Sequence, residues 1–156
     1  MRHPERELKN RGTITAMLEK SPVGRMATVN RKGIPVIKPV NFLYREGKIY
    51  IHSSKKGEKI EDIRRGSPVS FEIDEPVSYV VARESTCGAD YYYRSIIIKG
   101  SAAFVTRQKK KREILGRLME KYQPEGGYGP IREEVLQKTA VIEISVDEIT
   151  GKERLG

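Results

Sequence analysis

The sequence predicts a mainly β protein with α-helices at its flanks, built as one antiparallel β-barrel over residues 1–156. Six or seven short apolar runs are joined mainly by tight turns, which is typical of barrels. One helical segment separates the third run from the fourth, and a longer one comes before the last run. Because no internal repeat or low-complexity linker divides the chain, its length suits one domain with a hydrophobic core.

The first half of the chain predicts one helix followed by three strands. Residues 8–20 carry an apolar side at helical spacing, and Ser21-Pro22 ends this helix. Asn30-Arg31-Lys32-Gly33 predicts a hairpin turn in which Gly33 takes a positive φ. A second turn, Arg45-Glu46-Gly47-Lys48, connects the next pair of strands. The three predicted strands are residues 23–30, 35–44 and 48–53.

The second half predicts further strands that alternate with three helices. A short helix covers about residues 58–65 and ends at Gly66. The predicted strands are residues 68–74, 78–82, 93–106 and 139–147. The two remaining helices are residues 107–122 and, in shorter form, about 131–137. We expect the helix before the last strand to cover an open part of the barrel.

Composition indicates a charged protein without a membrane segment. Charged residues make up 33% of the chain and hydrophobic residues 37%, and no apolar stretch approaches the ~20 residues that span a bilayer. The segment from Met1 to Glu7 has no apolar core, which argues against a secretory signal. Cys87 is the only cysteine, so an internal disulfide is excluded, and we expect a cytoplasmic protein.

The net charge of +9 favours association with polyanions. The basic residues are nevertheless dispersed, and the densest run, Arg107 to Arg112, begins a predicted helix. The favoured interpretation of this run is the solvated outer face of an amphipathic helix. Nucleic acid is therefore not the expected partner, although a polyanion-binding barrel stays open as an alternative.

The segment from Ile49 to Ile60 predicts a phosphate site. A strand ends in Ser53-Ser54, and Lys55-Lys56-Gly57 then leads into a helix that carries Lys59. Hydroxyls, backbone N–H groups and lysines at such a junction can all bind phosphate oxygens. The spacing is not that of a Walker loop, and a solvated polar loop between a strand and a helix is the alternative.

Two side chains are candidates for direct chemistry. His52 can lie over a ligand as a donor or acid, although a histidine at a strand end also serves as a structural hydrogen-bonding group. Cys87 lies in a polar loop, and a nucleophilic cysteine would need His52 as its base, so an inert role is favoured. Histidine and cysteine are too few for a zinc site, and no metal is expected. The glycine motifs of hydrolase elbows and dinucleotide-binding folds are also missing.

Two further segments offer contacts to a flat ligand. Tyr91-Tyr92-Tyr93 precedes Arg94 and Ser95, and this group can frame a flat anionic molecule or form part of an interface or core. Pro39-Val40-Asn41-Phe42 offers backbone groups and one amide in the middle of a strand. A flat heterocycle needs such donors and acceptors along its edge.

Taken in order, these segments resemble the pyridoxamine 5′-phosphate oxidase-like, FMN-binding split-barrel superfamily. Within it, the nitroimidazole-resistance (Nim-like) branch is the most similar. The resemblance runs from about Glu7 to Lys152, and the order and spacing of the motifs carry it. The motifs are Gly24-Arg25-Met26-Ala27-Thr28-Val29, Pro39-Val40-Asn41-Phe42, Ile49-Tyr50-Ile51-His52-Ser53, Gly57-Glu58-Lys59 and Tyr93-Arg94-Ser95-Ile96-Ile97-Ile98-Lys99-Gly100.

The resemblance implies a six-stranded split barrel that forms a homodimer with two FMN molecules at the subunit interface. Ten residues of this chain would then contact the cofactor. Those along the isoalloxazine are Lys38, Pro39, Val40 and Asn41, those on the path from ring to phosphate are His52 and Ser53, those at the phosphate are Lys56 and Lys59, and those on the later strand are Arg94 and Ser95.

The implied activity is a flavin-dependent reduction of small molecules, with a nicotinamide or another electron donor. His52 is the one candidate for a catalytic side chain. Two departures from the family pattern matter here. Glu58 stands where related chains often carry a basic residue, and the C-terminal Trp and Arg features of true pyridoxamine phosphate oxidases are missing, so that oxidase activity is not expected. A non-catalytic flavin or haem carrier or sensor, with His52 as an iron ligand in the haem case, is the alternative.

Overall fold

The computed structural model describes residues 3–82 and 88–155, so the candidate Cys87 lies outside the described residues. The strands are β1 (Gly24–Val29), β2 (Pro35–Val40), β3 (Phe42–Arg45), β4 (Lys48–Ser54), β5 (Pro68–Val80), β6 (Asp90–Phe104) and β7 (Thr139–Arg154). The helices are α1 (Arg11–Lys20), α2 (Glu58–Arg64), α3 (Gln108–Tyr122) and α4 (Glu133–Lys138), and a short 3-10 helix covers Pro4–Arg6. All strand pairs are antiparallel, in the order β2-β1-β5-β6-β7-β4-β3.

The predicted class, mainly β with flanking helices, is confirmed, but the sheet has seven strands and not six. The predicted strand over residues 35–44 breaks at Asn41 into β2 and β3. These two halves pair with different partners, β2 with β1 and β3 with β4. Val40 and Phe42 are both buried and lie two residues apart, as they would in one unbroken strand, so the break leaves no trace in the sequence.

Asn41 alone connects the two edges of the sheet. Because β2 and β3 are the first and last strands of the sheet, the chain passes from one edge to the other in a single residue. Val40 and Phe42 are therefore within about 7 Å of each other, given the fixed spacing of Cα atoms. The sheet curls until its edges meet without pairing, which is consistent with a barrel that is split at this line.

Two strands are longer than predicted. The predicted runs 68–74 and 78–82 form the single strand β5, with a register shift between Pro76 and Ser78. β7 continues to Arg154 beyond a second register shift, where Asp147 is the extra residue opposite Lys99/Gly100. A Cβ at Gly100 would overlap the carbonyl oxygen of Ser145, so this bulge requires glycine. The bulge shifts the register of β7 against β6 by one residue but does not end the strand.

Two hydrophobic clusters lie on opposite faces of β4 and β7. The inner cluster includes Ile49, Ile51 and Phe42, whose ring meets that of Phe71 edge to face at a centroid distance of 4.9 Å. The outer cluster packs Tyr50 and Val141 against α3 and α4. Alternation along the strands accounts for this division, because successive side chains point to opposite faces. The helix before the last strand was expected to cover an open part of the barrel; α3 and α4 instead pack on the outer face of the paired strands β4 and β7.

The sequence favours a solvated position for the whole basic run at the start of α3. The structure corrects this interpretation, because part of the run is buried. The Lys111 side chain is buried, with 6% exposure, and its amine donates a hydrogen bond to the Leu136 carbonyl oxygen. Lys110 pairs with Glu143 on β7. The helical period turns these two lysines toward the barrel, while Lys109 and Arg112 remain exposed. None of the described helices has the length and apolar character needed to cross a membrane.

Candidate functional site

The candidate site lies where the split of the sheet meets the start of α2. Edge strand β2 carries Lys38, Pro39 and Val40, and its outer edge has no strand partner among residues 3–82 and 88–155. Unpaired N–H and C=O groups of an edge strand can bind a ligand in place of another strand. The Val40 side chain is buried in the core with 8% exposure, so only its backbone can reach a ligand.

A buried carboxylate fixes α2 against β1. The Thr28 hydroxyl donates to Asp62 Oδ2 at 2.8 Å, and Arg65 Nη2 donates to Asp62 Oδ1 at 3.0 Å. Arg65 also donates to the Val29 carbonyl oxygen at 2.7 Å. This buried carboxylate accepts hydrogen bonds from a neutral hydroxyl and from a charged guanidinium. It resists displacement, since a buried charge without partners would be costly. The position of Lys59, three residues before Asp62, is set by this network.

Lys38, His52 and Lys59 form the basic cluster of the site. They come from three elements, β2, β4 and α2, which the fold brings to one place. Burial, and then the charge of Lys38, lowers the pKa of Lys59. Burial, and then the charge of Lys59, lowers the pKa of His52 below its ordinary value of 6.5, so the imidazole is neutral at pH 7. A lysine whose pKa is lowered by a neighbouring positive charge is stabilised by an incoming anion.

Glu58 is the acid nearest to this cluster in sequence and partly neutralises it. Its carboxylate lies 3.5 Å from Lys38 Nζ and accepts a hydrogen bond from the Asn30 side chain at 3.4 Å. Both members of the Lys38–Glu58 pair are nearly half exposed, so the pair is weak and can exchange for another anion.

The loop between β4 and α2 is tied to itself. The Lys56 N–H donates to Ser54 Oγ at 3.1 Å, which removes that N–H from the groups available to a phosphate. Gly57 has φ 114° and ψ 164°, a conformation that is essentially restricted to glycine. Helix α2 has only seven residues, so its dipole adds little, and the side-chain cations carry the positive potential.

Ser53 and Lys56 are less directly placed than the basic cluster. Ser53 pairs with Ala140 and follows His52 on β4, so the two side chains point to opposite faces of the strand. Lys56 is exposed on the loop. Ser53 therefore does not share the face from which His52 projects, and Lys56 lies beyond the end of the strand.

An apolar cleft of about 360 Å³ begins at His52 and Asn41. It runs between α3 and α4, and its other lining side chains are mainly apolar. They are Leu115, Leu118, Met119, Tyr122, Ile131, Val135 and Thr139. His52 therefore borders both the basic cluster and the apolar cleft, which joins a surface for an anion to a surface for a flat apolar body. The apolar positions of α3 were visible in the sequence, but their closeness to His52 depends on long-range strand pairing.

Tyr122 holds the corner at which the sheet changes edges. Its hydroxyl accepts a hydrogen bond from the Phe42 N–H at 2.8 Å and lies 2.8 Å from the carbonyl oxygen of Pro22. Burial raises the pKa of this hydroxyl, so it stays protonated and can donate to that carbonyl. The sequence reasoning missed Tyr122, because nothing in its surroundings distinguishes it from an ordinary core aromatic.

Arg94 and Ser95 do not join the other predicted residues within one chain. Along β7, His52 pairs with Val141 whereas Arg94 pairs with Glu153. Twelve residues of strand separate these positions, which corresponds to about 40 Å of extended chain. Arg94 instead lines a different cleft, beside α1, and its guanidinium lies 3.2 Å from Glu153 and 3.8 Å from Glu75.

The comparison with known families agrees with the motifs. A family model described as pyridoxamine 5′-phosphate oxidase matches residues 10–153. The chain belongs to this family. The membership inferred from the order of the sequence motifs is thereby confirmed. A search of curated proteins found no match. No group of three or more His, Cys, Asp and Glu side chains suited to a metal occurs among the residues that the structure describes.

Solved structures with the same fold include three from bacteria. The flavocytochrome Anf3 from Azotobacter vinelandii aligns with a TM-score of 0.89 and 21% identity, over 100% of this chain and 72% of its own. An FAD and heme binding protein from Mycobacterium smegmatis aligns with a TM-score of 0.87 and 22% identity, over 97% of this chain and 74% of its own. A protein described as a 5-nitroimidazole antibiotic resistance protein, from Bacteroides thetaiotaomicron, gives a TM-score of 0.79 and 21% identity, over 94% and 85%. At these identities the likeness establishes the fold of this family member and not its ligand.

Proposed function

We propose that this chain is an FMN-binding flavoprotein that acts as a flavin-dependent reductase of small molecules. The observation that carries the proposal is the position of His52 between a basic cluster and an apolar cleft. FMN has a phosphate at one end and a flat, largely apolar ring at the other, so it matches this pair of surfaces. Flavin-binding and nitroimidazole-resistance proteins among the structural neighbours support the same assignment.

The residues that would hold FMN divide into two groups. Lys59 and Lys38 supply charge for the phosphate, with Lys56 and Ser53 at its periphery, and the backbone of residues 38–41 supplies donors and acceptors for the ring edge. When bound, the flavin supplies the hydride and electron transfer, and the protein orients it and sets its electrostatics. Because His52 is neutral at pH 7, it serves as a hydrogen-bonding group beside the ring and not as a strong acid.

The proposal includes a homodimer with the flavin at the subunit interface. Arg94 and Ser95 on β6 lie opposite Glu153 and Lys152 of β7, far along that strand from Val141, which pairs with His52, so their predicted contribution to the site requires a second copy. Apolar side chains exposed near the β5–β6 hairpin offer a surface for such a contact. They are Val77, Tyr79, Val81 and Tyr91.

The phosphate assignment is tested by titrating the protein with FMN and with riboflavin, monitored by flavin fluorescence. We expect FMN to bind more tightly, because a charge-assisted hydrogen bond to phosphate contributes about 1.5–3 kcal/mol. Lys59→Met keeps the half-buried stem of the side chain and removes its charge, and it should weaken FMN roughly ten- to hundredfold while leaving riboflavin unchanged. Lys99→Met is the matched control, because Lys99 is a solvent-exposed strand residue paired with Glu148. Equal affinities for the two flavins in the parent protein would refute the assignment.

The reductase assignment is tested by anaerobic mixing of the flavin-loaded protein with NADH or NADPH. We expect the visible flavin band to bleach and to return when a nitroaromatic or a quinone is added. His52→Gln keeps a hydrogen-bonding side chain and should preserve reoxidation better than His52→Ala does. If nicotinamides and dithionite both leave the band unchanged, the chain is a carrier or sensor, and a Soret band after reconstitution with haem would assign it to haem.

A further inference from the structure

A second cleft of about 340 Å³ lies between α2, α3 and the adjoining parts of β6 and β7. We call it the Lys111 cleft. Its three charged lining residues are all cations, Lys55, Arg64 and Lys111. Thr106 and Gln108 add polar groups, and most of the remaining lining is apolar. None of the described residues that line this cleft is acidic, and it shares no residue with the His52 cleft except Thr139.

Lys111 is the buried residue among the three cations that line this cleft. Among the described residues its ammonium donates one hydrogen bond, to the Leu136 carbonyl oxygen, although an ammonium carries three donors. Burial, and then the charge of Lys55, lowers its pKa, while Glu133 acts in the opposite direction. A cation held away from water beside a second cation gains more from an incoming anion than a solvated one does.

The acids around the cleft leave it positive. Arg64 pairs with Glu61 at 2.8 Å and also donates to the Lys55 carbonyl oxygen at 3.4 Å. Both Arg64 and Glu61 are about half exposed, so this pair is weakly held. Glu133 pairs with Arg112 at 2.9 Å, so the charge of Arg112 offsets part of the effect of Glu133 on Lys111. One buried and two accessible cations therefore face a volume that suits a small molecule.

We propose that the Lys111 cleft is a second ligand site, which binds a small organic anion with a carboxylate or phosphate on an apolar body. The anionic group would lie among Lys55, Arg64 and Lys111. The apolar body would pack on the Ile60 and Phe104 side chains, which line the same cleft. The cations of the proposed flavin site are Lys38, Lys59 and, at its periphery, Lys56. None of them lines the Lys111 cleft, so this second site neither requires nor excludes FMN.

The test is calorimetric titration of the full-length protein with phenyl phosphate and, separately, with benzoate. The first probe represents a phosphate source and the second a carboxylate source. Each titration is carried out on flavin-free protein and again on protein saturated with FMN. We expect one equivalent of at least one probe to bind, with the same affinity in both forms.

Arg64→Gln and Arg117→Gln form a matched pair of variants. Each arginine is a half-exposed helical residue that pairs with a glutamate three positions away at 2.8 Å, but only Arg64 lines the cleft. We expect Arg64→Gln to weaken the probe about threefold to tenfold and Arg117→Gln to leave it unchanged. Lys111→Met should abolish binding, and Arg64→Gln keeps the test decisive if Lys111→Met does not fold.

Three outcomes would overturn the proposal. The first is no measurable binding of either probe. The second is an equal effect of Arg64→Gln and Arg117→Gln, which would mean that the anion responds only to overall charge. The third is loss of probe binding when FMN is present, which would place the anion in the flavin site. Failure of FMN to bind would refute the proposed function but leave the titration of the flavin-free protein intact as a test of this cleft.

Discussion

Burial of the Lys121 amine lowers the free energy of unfolding, and the size of this effect can be measured. Its amine is buried without a hydrogen-bond partner among the described residues and lies 4.0 Å from the centroid of the Phe42 ring. Burial lowers its pKa from 10.5 to about 8, against the opposing charge of Glu19. Burial destabilises the charged form of this amine relative to its form in water, although the amine still carries its proton below pH 8.

The destabilisation caused by the buried Lys121 amine decreases as the pH rises above 8. Below pH 8 the amine is charged in both states, and the folded protein bears the full penalty. Between pH 8 and 10.5 the unfolded chain binds more protons than the folded one, so the free energy of unfolding rises with pH. We therefore expect Lys121→Met to stabilise the protein most below pH 8 and to lose that advantage by pH 10.5. Denaturant unfolding at several pH values measures this, and a gap between the two proteins that does not vary with pH would contradict it.

His52 reports on the charge that surrounds it. Because Lys59 and burial both lower its pKa, an anion bound at the basic cluster should raise that pKa. We expect FMN, and more weakly inorganic phosphate, to shift the NMR titration of the His52 ring to higher pH. His3 is the internal control, because it lies in the N-terminal segment beside Glu5. An unchanged His52 titration with bound FMN would place the phosphate away from this cluster.

Glu58 is expected to oppose the binding of a phosphate. Its carboxylate pairs with the Lys38 ammonium and brings negative charge to the basic cluster. Glu58→Gln keeps the shape and the possible bond to Asn30 while it removes the charge, so we expect FMN to bind about two- to fivefold more tightly. Glu61→Gln, one turn along the same helix, is the control, since Glu61 pairs with Arg64. Tighter binding in both variants alike would indicate a general charge effect.

At the scale of elements, the corner between β2 and β3 depends on one hydroxyl. Tyr122→Phe leaves the Phe42 N–H without its partner, and a buried donor left unpaired costs about 1–3 kcal/mol. We expect that loss in the free energy of unfolding, with an unchanged dependence on denaturant concentration. Tyr79→Phe is the matched control, because Tyr79 is 69% exposed. Equal stability of the two variants would show that water replaces the Tyr122 hydroxyl as the partner of the Phe42 N–H.

The same corner shows where sequence reasoning reaches its limit. The strand that carries Lys38 and the helix that carries Lys59 were predicted, because alternation and the loop chemistry are local signals. The break at Asn41 was not, since the Tyr122 hydroxyl that binds the backbone of Phe42 beside the break lies far away along the chain. The Lys111 cleft was missed for a related reason, because a run of lysines looks solvated until a facing strand and helix cover one of them.

At the scale of the whole molecule, the separation of Lys59 from Arg94 gives a test of the proposed dimer. Sedimentation equilibrium should give about twice the chain mass of 17.8 kDa. If each flavin site takes Lys59 from one copy and Arg94 from the other, Lys59→Met and Arg94→Ala homodimers should both bind FMN poorly. A mixed dimer would contain one site with both residues intact, so mixing the unfolded variants and refolding them together should restore about one site in four. No recovery on mixing, with dimers formed, would mean that Arg94 does not act across the interface.

The order of the strands also determines when the protein can complete its fold. β7 is the last strand of the described residues, yet it lies inside the sheet, and it alone among their strands joins the β3–β4 hairpin by hydrogen bonds to the strands β2, β1, β5 and β6. Until residues 139–154 have been synthesised, the nascent chain holds two pieces of sheet with unpaired edges, and each edge can pair with another chain. Insertion of β7 joins positions as distant as Lys48 and Ser145, a loop closure that slows folding. The sheet is therefore completed only when β7 is inserted, and aggregation competes with folding until then.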